Sequence, residues 1–422
     1  MDTARYIVDG RHRLNGEVWV HGAKNAALPI LAASLLCDGC EIQNCPDLSD
    51  IHAAENILQH LGCKTLWETD TNGQKVLSVK PVGPFAWDIP DKLMREMRSS
   101  IVFLGAIIAR CKKAKLSYPG GCELGPRPID LHLSSLRKLG VEIKEDLGYL
   151  ECSVPDKLHA AEITLPFPSV GATENIMIAA VLAEGETVIR NAAREPEISD
   201  LAGFLNACGA KIRILSDGTI AICGVEKLHG CCYRVIPDRI VAVTYLCCCA
   251  AAKGEILLRG VCPEHLSAVL PVLEEMGCSL TVDKDKIAVL CDKPLKAVSS
   301  ISTMPYPGFP TDALAPVMAA ACTAKGSTIF IENIFQDRFK HAWELCRMGA
   351  DIKAEGRVAV RGVERLHSAR VRCTDLRGGA ALVTAALGVE GKTVIEEIRH
   401  VLRGYEHLDQ TLNELGACIR QE

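Results

Sequence analysis

The sequence predicts an α/β fold in two domains, built from six copies of one strand–helix–strand–helix–strand–strand unit. The first observation is a recurring helix end, in which an apolar residue, a glycine and a short apolar strand follow one another. This pattern occurs six times, with 67 to 78 residues between consecutive glycines, and its glycines are Gly62, Gly140, Gly209, Gly277, Gly349 and Gly416. A fixed long period indicates a repeated supersecondary unit. The second observation is the length of 422 residues, enough for two domains with three units each.

Each unit also begins in the same way, with an apolar helix that a short turn joins to a strand. Five such segments are Ala26–Gly39, Asn175–Gly185, Val241–Gly254, Asp312–Gly326 and Gly379–Gly391. The turn glycine precedes the helix-end glycine by 23 to 25 residues in all five. The second unit has Cys111-Lys112-Lys113 at this turn, and its strand leads directly into an irregular loop. Function is expected where a repeat is least regular.

Composition and charge exclude several functional classes. The formal net charge of -5 gives no basic footprint for nucleic acid. The apolar runs Val241–Ala252 and Ala313–Ala324 are shorter than the roughly 18 residues that span a bilayer. The N-terminal residues do not resemble a signal peptide. We therefore expect a cytoplasmic protein that binds neither nucleic acid nor membrane.

The 21 cysteines are expected to be free thiols in a reducing compartment. Many lie in apolar runs, such as Cys247-Cys248-Cys249, where cysteine acts as a small hydrophobic residue. Cys37 and Cys40 form one CxxC pair, but no second pair stands at zinc-ribbon spacing. The sequence on its own therefore favours no metal site.

The irregular loop of the second unit, Tyr118–Asp130, contains three glycines, three prolines, Cys122 and Arg127. Glycine and proline shape the backbone of such a loop. A thiol near an arginine has a lowered pKa, which is the usual way for a cysteine to become reactive. The alternative is an ordinary glycine-rich turn with an incidental cysteine.

Polar or charged groups stand at the start of the first helix in all six units. They are Lys24-Asn25, Arg98-Ser99-Ser100, Ser169-Val170-Gly171, Asp238-Arg239, Thr311-Asp312 and Asp375-Leu376-Arg377. The loops before second helices add Arg127, Arg338 and Arg403. Helix N-termini favour anionic ligands, so this pattern predicts a site for charged small molecules. Helix capping explains Ser99, Thr311 and Asp238 equally well, but not the arginines and the lysine at matching places.

Several motifs give the sequence a close resemblance to the UDP-N-acetylglucosamine 1-carboxyvinyltransferases, a group within the enolpyruvyl transferases. The motifs are Gly22-Ala-Lys-Asn-Ala-Ala-Leu-Pro29, Pro119-Gly-Gly-Cys-Glu-Leu-Gly-Pro-Arg-Pro128, Phe309-Pro-Thr-Asp312, Thr374-Asp-Leu-Arg377 and Arg403-Gly-Tyr-Glu406. The resemblance implies two inside-out α/β domains, each of three βαβαββ repeat units, hinged around a central cleft. One domain would hold residues 24–236, and the other residues 1–23 and 237–422.

The resemblance also implies a set of site residues. Cys122 and Asp312 would be catalytic. Phosphoenolpyruvate would bind to Lys24, Asn25, Arg127, Arg377 and Arg403. The nucleotide sugar would contact Arg98, Arg127, Pro128, Ile129, Asp130, Leu131, Ser169, Val170, Gly171, Asp312 and Ile334. Arg338 and Asp375 would support the site, and neither a metal nor another cofactor is expected.

The implied reaction moves the enolpyruvyl group of phosphoenolpyruvate to the 3′-hydroxyl of UDP-N-acetylglucosamine and releases phosphate. It is the first committed step of peptidoglycan synthesis, and fosfomycin would be an inhibitor. One alternative is transfer to shikimate 3-phosphate on the same scaffold. Others are a catalytically silent paralogue that binds a UDP-sugar, and a purely structural repeat protein. The oligomeric state stays open.

Overall fold

The computed structural model describes residues 4–71, 73–119, 129–355 and 357–422. These residues divide into two compact lobes. Lobe 1 contains described residues from Gly22 to Ile236, and lobe 2 contains those up to His21 and from Pro237 onward. The mixed α/β class that the sequence predicts is confirmed, and each lobe is described below by itself.

The α-helices alternate with strands along most of the chain. They are α1 Lys24–Ser34, α2 Ser49–His60, α3 Asp91–Glu96, α4 Phe103–Cys111, α5 Asp130–Lys138, α6 Val170–Ala180, α7 Pro196–Ala207, α8 Arg239–Ala252, α9 Leu270–Glu275, α10 Thr311–Ala321, α11 Lys340–Arg347, α12 Leu376–Leu387 and α13 Leu408–Glu414. Short 3₁₀ turns occupy Arg98–Val102, Pro263–Leu266 and Ile398–Arg403.

The strands are short, as the apolar runs between turns predict. They are β1 Arg5–Asp9, β2 Asn15–Trp19, β3 Cys40–Gln43, β4 Cys63–Thr69, β5 Lys75–Pro81, β6 Asp88–Ile89, β7 Lys113–Ser117, β8 Glu142–Asp146, β9 Tyr149–Ser153, β10 Glu162–Thr164, β11 Glu186–Arg190, β12 Lys211–Ile214, β13 Ile220–Cys223, β14 Cys231–Arg234, β15 Glu255–Arg259, β16 Ser279–Asp283, β17 Lys286–Leu290, β18 Ser300–Ser302, β19 Ser327–Ile331, β20 Asp351–Glu355, β21 Arg357–Arg361, β22 Arg370–Arg372, β23 Lys392–Glu396 and β24 Cys418–Gln421.

Within the described residues these strands form six four-stranded sheets with a single pairing pattern. In the third repeat, for example, the order is β10-β11-β13-β12. The first pair, β10 and β11, is parallel because α6 crosses over between them, and the remaining pairs are antiparallel. The pattern is the βαβαββ unit that the glycine spacing predicts.

Each lobe closes on itself through a strand from elsewhere in the chain. In lobe 1, β14 at the end of the lobe pairs in parallel with β3 and completes the sheet of the first repeat. In lobe 2, β2 pairs in parallel with β15, and β1 pairs with both β23 and β24. The N-terminal strands therefore complete two sheets of lobe 2, whose other described residues begin at Pro237.

The first helix of each repeat lies at the centre of its lobe. In lobe 1, α4 packs against α1 and α6, and in lobe 2 α8, α10 and α12 pack against one another. These helices are buried along nearly all of their length. A helix that is apolar all round is a core helix. The second helices bury one face only, as α5 does with Leu133 and Leu136. The sheets thus lie outside the helical core, and the predicted inside-out arrangement is confirmed.

The repeated glycines have the backbone conformation that their position requires. All six helix-end glycines have positive φ, between 90° at Gly349 and 100° at Gly277. Such left-handed residues end helices, and glycine adopts them without a Cβ penalty. At the irregular turn of the second repeat, Lys112 takes the left-handed conformation instead, with a φ of 61°.

No helix in the described parts of the chain is both long enough and apolar enough to cross a membrane.

Candidate active site

In lobe 2, Asp312 is held between two buried arginines. Asp312 is the second residue of α10, and its side chain is 26% exposed. Its Oδ1 accepts a hydrogen bond from Nη2 of Arg338 at 2.7 Å, and its Oδ2 accepts one from Nε of Arg377 at 3.1 Å. The side chains of Arg338 and Arg377 are only 2% and 4% exposed. The two guanidinium groups favour the ionised carboxylate.

Arg338, predicted only as a supporting residue, is tied to the start of α10. Its Nε and Nη2 both donate to the Thr311 carbonyl, at 3.2 and 3.0 Å. The planar guanidinium thus contacts the backbone and the carboxylate of adjacent residues at once, which a lysine could not do. Arg338 therefore fixes the position of Asp312.

Arg377 packs over the ring of Tyr405, with its guanidinium carbon 5.3 Å from the ring centroid. The hydroxyl groups of Tyr405 and Thr244 share a hydrogen bond of 2.8 Å. Burial acts to lower the pKa of Arg377, but Tyr405 and Asp312 outweigh it and the pKa is raised overall. Within the described residues, Nη1 of Arg377 is buried and has no hydrogen-bond partner. Arg377 therefore keeps one donor that an anionic ligand could use.

Asp375 caps α12 and so fixes the backbone of Arg377. Its Oδ1 accepts from the N–H groups of Arg377 and Gly378, at 3.1 and 3.0 Å. Ser169 and Asp238 cap α6 and α8 in the same way. The expectation that capping explains Thr311 is wrong, because Pro310 occupies the cap position and makes no side-chain bond. Ser99 is likewise no α-helix cap, since it lies inside a 3₁₀ turn.

Glu332, which the sequence did not suggest, connects the start of α10 with the predicted contact Ile334. Its Oε2 accepts from the Thr311 hydroxyl at 2.8 Å. Its Oε1 accepts from the backbone N–H groups of Ile334 and Phe335, at 2.6 and 3.0 Å. One carboxylate therefore holds the loop of Ile334 against the helix that carries Asp312.

Arg403 ends the 3₁₀ turn Ile398–Arg403 and is half-buried. The next residue, Gly404, passes so close to α12 that an added Cβ would lie 2.7 Å from a methyl group of Leu376. A larger residue here would require the Leu376 side chain to shift, and Gly404 thus lets the loop of Arg403 lie beside the helix start that carries Arg377.

In lobe 1, Lys24 is the first residue of α1 and is only 8% exposed. Its Nζ forms an ion pair of 2.9 Å with Oδ2 of Asp50, which is also buried. Asn25 is exposed beside it. A buried lysine is costly without a partner, so Asp50 accounts for its charge in this structure. The sequence gives no indication of this pair, since the two residues lie 26 positions apart.

The predicted nucleotide-sugar contacts of lobe 1 surround a buried network formed by His132 and Asn175. The Asn175 amide nitrogen lies 2.8 Å from Nδ1 of His132 and donates to the Ile101 carbonyl at 2.8 Å. The Asn175 oxygen accepts from the Gly105 N–H at 2.7 Å. The network thus joins the middle of α6 to the starts of α4 and α5. Burial lowers the pKa of His132 to about 4, so its imidazole is neutral.

Six predicted contacts lie around this network. They are Arg98 at the turn before α4, Asp130 and Leu131 at the start of α5, and Ser169, Val170 and Gly171 at the start of α6. All six are exposed or half-buried, whereas Ile129 is buried. Cys122, Arg127 and Pro128 lie outside the described residues. In lobe 2 the structure thus brings Asp312, Arg338, Arg377 and Asp375 together, and in lobe 1 it places the described predicted residues at or beside the starts of α1, α4, α5 and α6.

Comparison with known proteins identifies the family. The sequence model of the family described as EPSP synthase (3-phosphoshikimate 1-carboxyvinyltransferase) matches residues 8–412. The chain belongs to the EPSP synthase family of enolpyruvyl transferases. Among its relatives is UDP-N-acetylglucosamine 1-carboxyvinyltransferase 2 of Caldanaerobacter subterraneus, with 52% identity over 98% of this chain and 99% of the relative. UDP-N-acetylglucosamine 1-carboxyvinyltransferase 1 of Symbiobacterium thermophilum is 51% identical over 98% of this chain and 94% of its own length.

Solved structures of enolpyruvyl transferases have the same fold. The enolpyruvyl transferase NikO from Streptomyces tendae superposes with a TM-score of 0.90 at 24% identity, over 99% of both chains. EPSP synthase from Acinetobacter baumannii gives a TM-score of 0.76 at 19% identity, over the full length of both. At these identities the two structures support the fold.

Proposed function

We propose that this enzyme transfers the enolpyruvyl group of phosphoenolpyruvate to the 3′-hydroxyl of UDP-N-acetylglucosamine and releases phosphate. This is the first committed step of peptidoglycan synthesis. The observation that carries the proposal is the 52% identity, over nearly the whole chain, to a relative named for this activity. The solved EPSP synthase is only 19% identical, which disfavours shikimate 3-phosphate as the acceptor.

Phosphoenolpyruvate carries a phosphate and a carboxylate on three carbons, so its site needs several fixed cations. We assign this role to Lys24, Asn25, Arg127, Arg377 and Arg403. The buried, unpartnered Nη1 of Arg377 supports its part in this set. Arginine binds two oxygens of a carboxylate or phosphate at once, while a lysine acts as a point charge.

The proposed chemistry is an addition followed by an elimination. Asp312 takes the proton of the 3′-hydroxyl, and the sugar oxygen forms a bond to C2 of phosphoenolpyruvate. Cys122 gives a proton to the methylene carbon, which becomes a methyl group. The C2–O bond to phosphate then breaks, a proton leaves the methyl group, and the enol ether double bond forms.

Two features of lobe 2 suit Asp312 to this role. The two arginines favour the ionised carboxylate, the form that can accept a proton. Arg338 and the α10 backbone fix its direction. A base held in one position lowers the cost of reaching the reactive geometry. Arg338 acts through Asp312 and is therefore a positioning residue.

The acceptor would lie against the starts of α5 and α6. We assign its contacts to Arg98, Arg127, Pro128, Ile129, Asp130, Leu131, Ser169, Val170, Gly171, Asp312 and Ile334. The N–H groups at helix starts suit the diphosphate of a nucleotide sugar. The His132–Asn175 network supports this surface because it fixes α6 relative to the starts of α4 and α5.

Phosphate release from phosphoenolpyruvate with each acceptor tests the proposed activity. We expect rapid release with UDP-N-acetylglucosamine and none with shikimate 3-phosphate or with either substrate alone. If phosphate were released with shikimate 3-phosphate as the acceptor but not with UDP-N-acetylglucosamine, the chain would be an EPSP synthase. No release with any acceptor, together with tight binding of the nucleotide sugar, would identify a silent paralogue.

Because the assigned residues come from both lobes, we also propose that residues 24–236 and the rest of the chain form two domains that close on the substrates. Small-angle scattering should show a smaller radius of gyration with UDP-N-acetylglucosamine bound. An unchanged radius at saturation would argue against closure. Both substrates are metabolites of the cytoplasm, where we place the enzyme. The free thiols of the described residues suit that reducing compartment.

A further inference from the structure

Four thiols converge at one corner of lobe 1, far apart in sequence. Cys37 lies in the turn after α1, and Cys40 is the first residue of β3. Cys208 is the C-cap residue of α7, and Cys231 is the first residue of β14. The strand register places Cys231 directly beside Cys40. This thiol cluster therefore contains one CxxC pair and two cysteines from the end of the lobe.

Three of the four sulfur atoms are close enough to share one ion, and the fourth contacts one of them. The Sγ atoms of Cys37, Cys40 and Cys208 all lie within 4.8 Å of one another. The Sγ of Cys208 lies 3.3 Å from the Sγ of Cys231. Zinc–sulfur bonds of about 2.3 Å in a tetrahedron place the sulfurs about 3.8 Å apart. The mutual distances of the first three sulfurs, all below 4.8 Å, are compatible with that value, and the contact with Cys208 makes Cys231 the candidate fourth ligand.

We propose that Cys37, Cys40, Cys208 and Cys231 bind one divalent metal ion in tetrahedral thiolate coordination, with zinc as the occupant. Four thiolates and no open position are typical of structural zinc sites. An iron–sulfur cluster is disfavoured because bridging iron and sulfide atoms need sulfurs set further apart. Cys37, Cys40 and Cys208 are at most 5% exposed, and the half-buried Cys231 leaves a path for entry.

The location gives the ion a structural role. Cys37 and Cys40 belong to the first repeat, whereas Cys208 and Cys231 belong to the segment that returns to close the lobe. A bound ion would join these two segments where β14 completes the sheet of β3. The helix α1 has 11 residues, so the cluster lies about 16 Å from Lys24 at the other end of the helix. The ion would therefore not contact the proposed substrates.

Lobe 2 provides an internal comparison. The parallel pair Asn15 and Glu255 occupies the place of Cys231 and Cys40. Counting from the turn and helix-end glycines, Ala252 and Leu415 occupy the places of Cys37 and Cys208. The same corner thus forms in lobe 2 without a thiol. The fold therefore does not require cysteine at this corner. The proposed site departs from the expectation of no metal, which considered the CxxC pair by itself.

Metal analysis of the full-length protein tests the proposal. Protein produced with added zinc and purified without chelators should contain close to one zinc atom per chain, as measured by inductively coupled plasma mass spectrometry. Cys231→Ser should lose most of this zinc. Cys232→Ser changes the next residue on β14, an exposed cysteine, and should retain it. Stripping the zinc with a chelator should lower the midpoint of thermal unfolding of the wild type and of Cys232→Ser alike.

Cobalt(II) gives a readout that needs no variant. Added to the metal-free wild type, it should produce the intense visible absorption of tetrahedral thiolate coordination, and zinc should then displace it. Three results would overturn the proposal. The first is wild-type protein without zinc and without a cobalt spectrum. The second is a disulfide between Cys208 and Cys231 in protein purified under reducing conditions, and the third is iron with acid-labile sulfide. Enolpyruvyl transfer by zinc-free protein would leave the proposed function intact, so the two proposals fail separately.

Discussion

Replacing Asp312 with asparagine separates its chemical role from its structural one. The asparagine has nearly the same shape but neither the charge nor the basicity of the carboxylate. If Asp312 is the general base, kcat should fall by roughly 10²–10⁴, the usual loss for such a group. Binding of UDP-N-acetylglucosamine should persist, because the amide keeps the size of the side chain and one oxygen acceptor.

The change should also reduce stability, by an amount that follows from its partners. Arg338 and Arg377, only 2% and 4% exposed, would lose the carboxylate that they share. Removing one partner of a buried ion pair costs about 3–5 kcal/mol. Since the Asp312 side chain is 26% exposed, solvent screens part of this cost. We expect a loss of about 3 kcal/mol or less in the free energy of unfolding.

Steady-state kinetics, calorimetric binding of the nucleotide sugar and urea unfolding together measure these effects. Arg338→Lys is the matched control, since it keeps the positive charge but not the fork that contacts Thr311 and Asp312. It should lower kcat less than Asp312→Asn does while KM changes little. Asp312→Asn with the kcat of the wild type would refute the assignment of the base, whatever its stability.

Three further changes test other parts of the structure. Burial lowers the pKa of His132 to about 4, whereas an unfolded histidine titrates near pH 6.5. The neutral, buried imidazole should therefore contribute about 3 kcal/mol to the free energy of unfolding above about pH 6.5, and this contribution should be lost as the pH falls towards 4. His132→Gln should flatten this part of the stability–pH profile in urea unfolding, and an unchanged slope would contradict the reasoning. Burial, with Glu197 and Glu195 nearby, raises the pKa of Glu174 well above its ordinary range, so its contribution is present at low pH and is lost as the pH rises. Glu174→Gln should therefore stabilise the protein more at pH 8 than at pH 6, and equal effects would count against a buried neutral carboxyl. Fosfomycin should label Cys122 far faster than any other thiol, and peptide mass spectrometry showing equal labelling elsewhere, or labelling that survives in Cys122→Ser, would remove this cysteine from the mechanism.

The repeat architecture was predictable because the chain marks it with local backbone chemistry. A residue that ends a helix in the left-handed conformation is usually a glycine, so the six helix ends are visible in the sequence. At the turns after the inner helices the rule is weaker. Lys112 and Lys253 have positive φ there. In the second repeat no glycine marks the turn in the sequence, because Lys112 takes the left-handed conformation.

The charged helix starts were also visible, but their partners were not. Arg338, Arg377 and Asp312 stand out as polar residues at matching repeat positions, yet only the folded lobe shows that they form one ion-pair group. Nothing in the sequence pointed to Asp50 or Glu332, because each acts through a contact with a residue that is distant in sequence. The capping roles given to Ser99 and Thr311 were wrong because Ser99 lies inside a 3₁₀ turn and Pro310 occupies the cap position of α10.

The thiol cluster shows why spacing alone can mislead. A zinc site read from sequence needs two neighbouring pairs of ligands, but here Cys208 and Cys231 reach the CxxC pair only because the lobe closes on itself. Circular closure brings the two ends of the lobe together, and no local pattern records which residues meet there.

Proton NMR of the reaction in D₂O tests the proposed addition and elimination most directly. Phosphoenolpyruvate and UDP-N-acetylglucosamine should yield an enol ether on the sugar 3-oxygen, with one phosphate released for each. The methylene group becomes a methyl group in the intermediate, so deuterium from the solvent should appear in the methylene group of the product. Phosphate release without the enol ether, or a product that retains only protium, would contradict the account.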